Sequence, residues 1–424
     1  MITNLSRRDF LMSTAGVTAM SMSAKSYSQI LGANERIAVG LVGAGGMGTN
    51  HIEAFLNLKQ SNNLNMIAVA DCWMKRAEES ATKVGAPHAL QDYRKLLDIK
   101  EIDYVTIATP EHRHAQMALD ALDAGKHLYC EKPLTHTIPE AFQVLDKAKQ
   151  SGLALQVGVQ GMCDDSYSSA ADSIRGGLLG RVVQAQIEYV RRYDEQGYNR
   201  VWGLDDKMPQ PADLNWDMWL GSAPKAPWNP RHYFEWRNYA AYSGGIATDL
   251  FIHRLSRIMR ACNLMYPRRV VGMGGIWHWP DGRDLPDNFE MLCEYPRGMT
   301  VHVLGTMSNR HPIEHCIRGY RGTMIFNDEG WIAKNKDGET LADYKKSGAE
   351  DIKLHHGNLH NHLRNGEVLK CPVEFAVAGL VAVLMAVESW RTGRMMAWDD
   401  AKRDMVPADT VPLDPFPDDP ATES

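Results

Sequence analysis

The chain lacks the cysteine pattern of a small disulfide-rich or zinc-bound domain. Its seven cysteines are an odd number, and no two of them form a C-x-x-C pair. Zinc sites and disulfide frameworks use closely spaced or paired cysteines. The sequence therefore predicts free thiols, most of them acting as small core residues. No metal is expected.

The chain also lacks a strong excess of charge and a long apolar run. Its net charge is −6, and no run of Lys and Arg interleaved with aromatics occurs, which argues against nucleic-acid binding. No stretch beyond the N-terminal region reaches about 18 uninterrupted apolar residues, so no membrane-spanning segment is expected.

With 424 residues the chain exceeds the about 250–300 at which one core stops growing, which predicts two domains.

The first thirty residues differ in composition from the rest. The motif S-R-R-D-F-L at 6–11 precedes a weakly apolar stretch rich in Ser, Ala and Met. This pattern is typical of a twin-arginine signal, so residues 1–33 are predicted to engage the twin-arginine export machinery. The protein is then expected in the periplasm or otherwise outside the cytoplasm. A cytosolic N-terminus that happens to hold two arginines is the alternative.

From Arg36 to about Gln160, short β-branched strands alternate with amphipathic helices. The apolar runs of these strands are continuous, as expected when helices cover both faces of a parallel sheet. Beyond Gln160 the strands have period-2 character and are separated by turn signals, which predicts a mostly antiparallel open sheet in an α+β domain. The predicted fold is α/β, with a doubly wound Rossmann domain over 34–160 and a substrate-binding and oligomerisation domain over 161–424.

A glycine-rich loop, G-A-G-G-M-G at 43–48, follows the first predicted strand and opens a helix. In this context a G-x-G-x-x-G match predicts a dinucleotide site, because glycines let the backbone approach a pyrophosphate at the helix N-terminus. The predicted cofactor contacts in this loop are Gly43, Gly45, Gly46, Met47 and Gly48.

Asp71 closes the second predicted strand, where a carboxylate can accept hydrogen bonds from the adenosine ribose. Its negative charge would repel a 2′-phosphate, which favours NAD. Lys75 and Arg76 follow directly and would suit a phosphate, so NADP is the alternative cofactor.

Three motifs in a fixed order carry a resemblance to a known family. They are I-A-T-P-E-H-R-H at 107–114, A-G-K-H at 124–127 and E-K-P at 131–133. The stretches W-D-M-W-L-G-S-A-P at 216–224 and S-G-G-I-A-T-D-L-F-I-H at 243–253 extend the match over nearly the whole chain. With these motifs the chain resembles the Gfo/Idh/MocA oxidoreductases. The resemblance implies an NAD(P)-dependent enzyme and places at the cofactor Thr109, Pro110, His114, Glu131, Lys132 and Gln160.

The resemblance also implies the catalytic residues. In that family the lysine of E-K-P, here Lys132, lies beside the nicotinamide and the substrate hydroxyl. Asp249 and His253 complete the site, with the histidine as base and the aspartate as an orienting group. Four residues apart on a helix predicted over 244–262, they project from one face, and an imidazole accepts protons near neutral pH. The implied sugar pocket comprises these three residues and Tyr233, Trp236 and Arg237.

Two positions depart from the family pattern. Ser256 stands where an aspartate often follows the histidine by three residues. Gln160-Gly161-Met162 lacks the arginine of the usual Q-x-R pattern, so the charge of the substrate does not follow from the relatives.

A histidine-rich tract lies nearer the C-terminus, with His355, His356, His360 and His362. It has no accompanying carboxylates at regular spacing, so we interpret it as a solvated loop and helix start rather than a metal site.

The motifs together predict oxidation of a sugar or polyol hydroxyl, in which His253 or Lys132 takes the proton and the cofactor takes the hydride. Free NAD is scarce outside the cytoplasm, so an exported member is expected to hold its cofactor tightly, as a glucose-fructose oxidoreductase does. An NAD-dependent glycosidase acting by transient oxidation and elimination is one alternative. A non-catalytic cofactor-binding sensor or scaffold is another, against which the intact Lys132, Asp249 and His253 argue.

The second predicted sheet is rich in apolar positions, more than one layer of helices is expected to cover. A homo-oligomer, dimer or tetramer, paired through this sheet is therefore predicted. The positions concerned are Val270, Val271, Met273, Met291, Leu292, Val301, Val303 and Met307.

Overall fold

The computed structural model of the protein describes residues 36–193, 199–201 and 203–410. The predicted export signal at 1–33 lies outside these residues. The described part of the chain forms two β-sheets with helices packed against them.

The first sheet has six parallel strands in the order β3-β2-β1-β4-β5-β6. The strands are β1 (Ile37–Val42), β2 (Leu64–Ala70), β3 (His88–Leu90), β4 (Tyr104–Ile107), β5 (His127–Glu131) and β6 (Leu155–Gly158). The helices between them are α1 (Gly46–Leu58), α2 (Met74–Val84), α3 (Tyr93–Leu97), α4 (Glu111–Asp123) and α5 (Ile138–Ser151). In this doubly wound order a ligand binds at the carboxyl ends of the strands, where the order reverses between β1 and β4. The predicted Rossmann fold is confirmed.

The second sheet has ten strands in the order β14-β13-β12-β11-β7-β10-β9-β8-β15-β16, and only the β7–β10 pair is parallel. Its first five strands are β7 (Val182–Val190), β8 (Arg269–Gly275), β9 (Asn288–Tyr295), β10 (Met299–Thr306) and β11 (His315–Gly319). The others are β12 (Thr323–Asn327), β13 (Gly330–Lys334), β14 (Thr340–Lys345), β15 (Met396–Asp399) and β16 (Asp404–Pro407). The remaining α-helices are α6 (Ser166–Arg175), α7 (Trp216–Leu220), α8 (Pro230–Phe234), α9 (Ile252–Cys262), α10 (Ile352–Asn365) and α11 (Val373–Thr392). The predicted mostly antiparallel second sheet is confirmed.

Helix α11 is apolar on all sides because it lies in the core. Among the described residues it is the one helix long and apolar enough to cross a membrane, but 72% of its apolar window is buried inside the protein. It packs against β8 of the second sheet and α5 of the first domain. Its composition therefore matches a helix that joins the two halves of the molecule.

The helices cover one face of the second sheet, and the strands alternate accordingly. Five of the eight apolar positions singled out in the sequence are buried on the helix side: Val270, Met291, Val301, Val303 and Met307. Val271 is half-buried, and Met273 and Leu292 are 70% and 42% exposed. The chain's own helices thus cover more of this apolar surface than the sequence indicated.

The interpretation of the histidine tract as solvated is wrong for three of its four members. His355, His356 and His360 are fully buried on α10, which packs against α1 of the Rossmann domain. Burial lowers the pKa of His355 and of His360 to about 3, so these imidazoles are neutral. Their polarity predicted exposure, but hydrogen-bond partners from the other domain make burial tolerable. Among the described residues no cluster suited to a metal ion is found.

Candidate active site

The glycine loop between β1 and α1 has a shape that requires glycine at two positions. Gly43 has φ +91°, and a Cβ there would lie 2.7 Å from the carbonyl oxygen of Ala108. A Cβ on Gly48 would overlap the carbonyl oxygen of Gly43. Helix α1 begins beside this close-packed loop with no side-chain cap. Its uncapped N–H groups form a site suited to a pyrophosphate.

A groove of about 470 Å³ runs from this loop along the carboxyl ends of the first sheet. Its opposite wall comes from an aromatic segment at 214–242. The predicted cofactor residues that line it are Gly43, Gly45, Gly46, Met47, Asp71, Thr109, Pro110, Glu131 and Lys132. The predicted substrate residues that line it are Tyr233, Trp236 and Arg237. The other predicted site residues, Gly48, His114, Gln160, Asp249 and His253, do not line it.

Asp71 lines the groove near the glycine loop, where the sequence predicts the adenosine ribose. Its carboxylate oxygens accept the backbone N–H groups of Ala44 and Trp73, both at 2.8 Å. Burial raises the pKa of this carboxyl. Beside it the guanidinium of Arg76 lies 4.9 Å from the centroid of the Trp73 ring and 5.3 Å from that of Tyr233. Asp71 therefore shapes the glycine loop as well as bounding the groove.

Lys132 follows the end of β5 and pairs with Asp249 of the second domain. Its Nζ donates to Oδ1 and to the backbone carbonyl oxygen of Asp249, both at 2.7 Å. Arg237 Nε donates to the same Oδ1 at 3.0 Å. The lysine and aspartate side chains are only 11% and 10% exposed, so water screens their attraction little. Lys132 retains one N–H for a ligand in the groove.

His253 is reached through a π-helical turn at Ala247–Phe251 that precedes α9. The prediction of one continuous α-helix over 244–262 is corrected accordingly, and such π turns often occur at functional sites. Burial, reinforced by the charge of Lys132, lowers the pKa of His253 well below its usual value. Its Nδ1 lies 3.7 Å from Oε1 of Glu350, beyond hydrogen-bond reach. The imidazole of His253 is therefore neutral, and the positive charge of Lys132 helps to keep it so.

Glu111 joins the Rossmann domain to the segment that carries Asp249. Its carboxylate accepts hydrogen bonds from Ser243 Oγ at 2.7 Å, from the Gly244 N–H at 3.1 Å and from Thr248 Oγ at 2.9 Å. Through these contacts the P-E-H-R-H and S-G-G motifs meet in the folded chain.

His114 braces the loop that carries Lys132. Its Nδ1 lies 2.7 Å from the carbonyl oxygen of Pro133, and its Nε2 lies 2.8 Å from that of Thr109. The ring is buried, which lowers its pKa. A neutral imidazole has one N–H, so His114 donates to one of these two carbonyl oxygens and lies beside the other.

The two departures from the family pattern have local explanations. Ser256 Oγ donates to the carbonyl oxygen of Ile252 at 2.6 Å, a contact within its own helix. A Cβ on Gly161 would lie 2.8 Å from Nε of Arg257, whose guanidinium pairs with Glu350. An arginine from α9 therefore occupies the space beside the Q-x-R position.

Sequence reasoning missed several groove-lining side chains, namely Asn50, Gln91, Tyr93, Arg113, Met218, Trp219 and Phe234. Three of them lie inside quoted motifs: Arg113 in E-H-R-H, and Met218 and Trp219 in W-D-M-W-L-G. A Cβ on Gly221 would overlap the Arg113 guanidinium, so these two motifs meet at the groove. Their place inside these motifs was the signal available in the sequence.

Two family models match the chain. The oxidoreductase family with an NAD-binding Rossmann fold matches residues 37–159, and the C-terminal α/β domain of the oxidoreductase family matches residues 169–261. Levoglucosan dehydrogenase of Pseudarthrobacter phenanthrenivorans is 31% identical over 318 residues, which are 70% of this chain and 74% of that protein.

Other curated relatives match over a smaller region. Inositol 2-dehydrogenase 4 of Saccharopolyspora erythraea is 32% identical over 35% of this chain and 44% of its own length. Alpha-N-acetylgalactosaminidase of Shewanella oneidensis is 28% identical over 44% of this chain and 46% of its own length. The matched region is thus under half the length of each of these two proteins.

Solved structures share the whole architecture. A levoglucosan dehydrogenase in complex with NADH has a TM-score of 0.65 at 19% identity, over 88% of this chain and 99% of that one. The WlbA dehydrogenase of Bordetella pertussis, in complex with NADH and UDP-GlcNAcA, has a TM-score of 0.64 at 18% identity, over 89% and 100%. At these identities the likeness shows a common fold.

Proposed function

Because the chain belongs to the Gfo/Idh/MocA family of NAD(P)-dependent oxidoreductases, we propose that it oxidises a hydroxyl of a sugar or polyol. The observation that carries this proposal is the pairing of Lys132 with Asp249 at the groove wall, near the neutral imidazole of His253. A charged hydrogen-bond donor beside an uncharged base suits the removal of an alcohol proton. Relatives named as levoglucosan and inositol dehydrogenases support the substrate class.

The glycine loop fits a dinucleotide, because a Cβ on Gly43 or Gly48 would strike backbone where close approach is needed. When bound, the nicotinamide accepts the hydride. The chain's own residues bind the substrate hydroxyl and accept its proton. The remaining N–H of Lys132 holds the hydroxyl oxygen of the substrate, and the neutral imidazole of His253 accepts the hydroxyl proton. Arg237 and Lys132 share one oxygen of Asp249, which fixes its orientation.

Mass spectrometry of the purified protein, followed by a sugar screen, tests this function. We expect nicotinamide dinucleotide to co-purify, because the proposed enzyme holds it tightly. Addition of a sugar or polyol from the right class should then produce the absorbance of reduced nicotinamide. A protein that neither carries nor binds the cofactor, or that reduces it with no sugar, polyol or uronate, would refute the proposal.

A second candidate is an NAD-dependent glycosidase, favoured by the similarity to alpha-N-acetylgalactosaminidase. Transient oxidation would then assist elimination of the glycosidic substituent, and the cofactor would return to its oxidised form in each cycle. A chromogenic glycoside distinguishes the two candidates. Release of its aglycone without accumulation of reduced nicotinamide would identify the glycosidase.

We also propose that residues 1–33 direct export through the twin-arginine route. Replacing Arg7 and Arg8 by lysine should retain the precursor in the cytoplasm, because the receptor reads the guanidinium groups rather than positive charge alone. Immunoblotting of cell fractions measures the distribution. The matched control, Lys25→Arg, should be exported normally. Normal export of the double variant would mean that another route is used.

We further propose that the outer face of the second sheet pairs two copies of the chain. Met273 and Leu292 are 70% and 42% exposed on this face, and Trp277 beyond the end of β8 is 69% exposed. Val271 is the register partner of Leu292, so the apolar positions are contiguous. Such a patch typically marks an interface, here paired by a two-fold axis.

Light scattering tests this pairing. We expect at least twice the mass of one chain, and a shift to the single-chain mass when Met273 and Leu292 are both replaced by glutamate, because buried charges oppose association. A single-chain mass for the native protein across micromolar dilution would contradict the proposal.

A further inference from the structure

Arg113 is a buried cation in the wall of the cofactor groove. It lies on the first turn of α4, lines the groove and is 7% exposed. Its Nε is buried, and no hydrogen bond or ion pair joins its guanidinium to another described residue. Burying a charge without a partner is costly, so such a group is expected where a ligand supplies the partner.

The neighbours of Arg113 place it at the end of the groove that Asp71 marks. Cys72 follows Asp71 directly, and Gln91 Nε2 donates to the carbonyl oxygen of Cys72 at 3.2 Å. Burial raises the pKa of the Cys72 thiol, and the nearby charge of Arg113 opposes this shift. The guanidinium therefore lies close to the turn that follows the second strand of the Rossmann sheet.

The order of groups along the groove assigns this end to the adenine base. In a Rossmann domain the pyrophosphate lies at the glycine loop, and the carboxylate after the second strand binds the adenosine ribose. The base attached to that ribose then lies beyond Asp71. The groove wall in this region is lined by Cys72, Gln91, Tyr93 and Arg113.

The neighbouring side-chain donors already have partners within the chain. Gln91 uses its second N–H on the carbonyl oxygen of Asp213 at 2.8 Å. The hydroxyl of Tyr93 donates to Oδ2 of Asp120 at 2.5 Å. The N–H groups of Arg113 thus remain available to a ligand.

Arg76, the other guanidinium near Asp71, lies beside the glycine loop. It packs on the rings of Trp73 and Tyr233, and a Cβ on Gly45 would lie 3.4 Å from one of its terminal nitrogens. Arg76 therefore faces the predicted pyrophosphate site, whereas Arg113 faces the predicted base.

The C-terminal domain fixes the position of Arg113. A Cβ on Gly221 would overlap its guanidinium, so the turn after α7 lies directly against it. Burial lowers the pKa of the adjacent His112 to about 3, and its neutral ring has Nε2 3.0 Å from the carbonyl oxygen of Trp219. These contacts hold the guanidinium in place before a ligand binds, which reduces the entropy lost on binding.

Adenine has the chemistry that this guanidinium requires of a ligand. Its ring nitrogens accept hydrogen bonds, and its flat π-face attracts a cation. The planar guanidinium can use either property, and both interactions are stronger where water is excluded.

We propose that Arg113 binds the adenine base of the cofactor and so anchors the adenosine half between the two domains. This inference rests on the cofactor site of the proposed function, but not on its sugar chemistry. The affinity for ligands that contain adenine then depends on Arg113, and the affinity for ligands without adenine does not.

Two halves of the cofactor test this dependence. ADP-ribose contains the adenine, and nicotinamide mononucleotide lacks it. Each is titrated calorimetrically into the full chain after charcoal treatment to remove co-purified cofactor. We expect Arg113→Met to weaken ADP-ribose by about 10- to 100-fold, the effect of losing a hydrogen bond from a charged donor, and to leave the mononucleotide unchanged. Unchanged ADP-ribose binding, or an equal loss for both ligands, would overturn the inference.

NADP distinguishes the base from a phosphate as the partner of Arg113. If the guanidinium binds the base, Arg113→Met should weaken NADP and NAD by the same factor. A larger loss for NADP would assign Arg113 to the 2′-phosphate and overturn the inference.

Arg94→Met is the matched control. Arg94 is 65% exposed and pairs with Asp92, so its loss should leave all four affinities native. If it weakened ADP-ribose as much as Arg113→Met does, the effect would be one of general charge, and the assignment to Arg113 would be rejected.

Thermal unfolding without ligand shows whether Arg113→Met folds. The change removes an unpaired buried charge, so we expect unfolding at the native temperature or above. If the variant does not fold, Arg113→Lys keeps the charge but loses the planar fork, and the same selective loss of ADP-ribose is expected. Native ADP-ribose affinity in this variant would also overturn the inference.

The proposed function and this inference can fail separately. A native chain that binds NAD and ADP-ribose but oxidises no sugar would refute the function and leave the role of Arg113 testable by the same titrations. A native chain that binds no dinucleotide would overturn both.

Discussion

Lys132→Ala is expected to lower turnover by about 10²–10⁴, the usual contribution of a positioned acid or base. The change removes the side chain whose ammonium binds Asp249 from the E-K-P turn, and with it the N–H proposed to hold the substrate hydroxyl. NAD affinity should change little, because the glycine loop and Asp71 are untouched. Steady-state kinetics on a confirmed sugar and a titration with NAD measure the two effects.

Lys225→Ala is the control for that change. Lys225 is 65% exposed and pairs with Asp217 at the surface, so its loss should leave turnover unaltered. Native turnover of the Lys132 variant would remove the lysine from the mechanism. An equal loss in both variants would indicate a general effect on the fold.

Gly48→Ala is expected to weaken NAD binding by about 10- to 100-fold, since forcing a methyl group into close-packed structure typically costs about 1–3 kcal/mol. The new Cβ would overlap the carbonyl oxygen of Gly43, so the loop must open where the pyrophosphate binds. Calorimetric titration with NAD measures the loss. Unchanged affinity would show that the loop does not form the site.

The neighbouring Gly46 supplies a control for loop stability. A Cβ there meets nothing within 4 Å, so Gly46→Ala should unfold at the native temperature or above in the absence of cofactor. Gly48→Ala should unfold at a lower temperature. The comparison separates a steric effect at one glycine from a general intolerance of alanine in this loop.

The family, the fold and the cofactor class could be predicted from the sequence, and each prediction is confirmed. The continuous apolar strands and the glycine loop are local features, readable in windows of ten to fifteen residues. The catalytic roles of Lys132, Asp249 and His253 stay predictions. Their surroundings agree with those roles, since Lys132 and Asp249 are in direct contact and His253 is neutral.

The histidine tract shows where sequence reasoning failed. Polar residues without a spaced set of carboxylates predicted a solvated segment, yet His356 bonds to His51 across 305 positions of the chain. Nothing near either residue in the sequence indicates the other. Polar side chains are usually exposed, and they are buried where a partner, here one distant in the sequence, satisfies their hydrogen bonds.

The sequence by itself determined the β-α order of the first domain, the glycine loop at the switch point of its sheet, and the residue types available for chemistry. These depend on periodicity and on turns, which act over a few residues. Only the tertiary structure decided that Lys132 meets Asp249 across 117 positions, that a π turn precedes His253, and that the buried His356 pairs with His51 of the other domain. Those contacts depend on how two domains pack, and the packing energy is shared among many residues that no local pattern identifies.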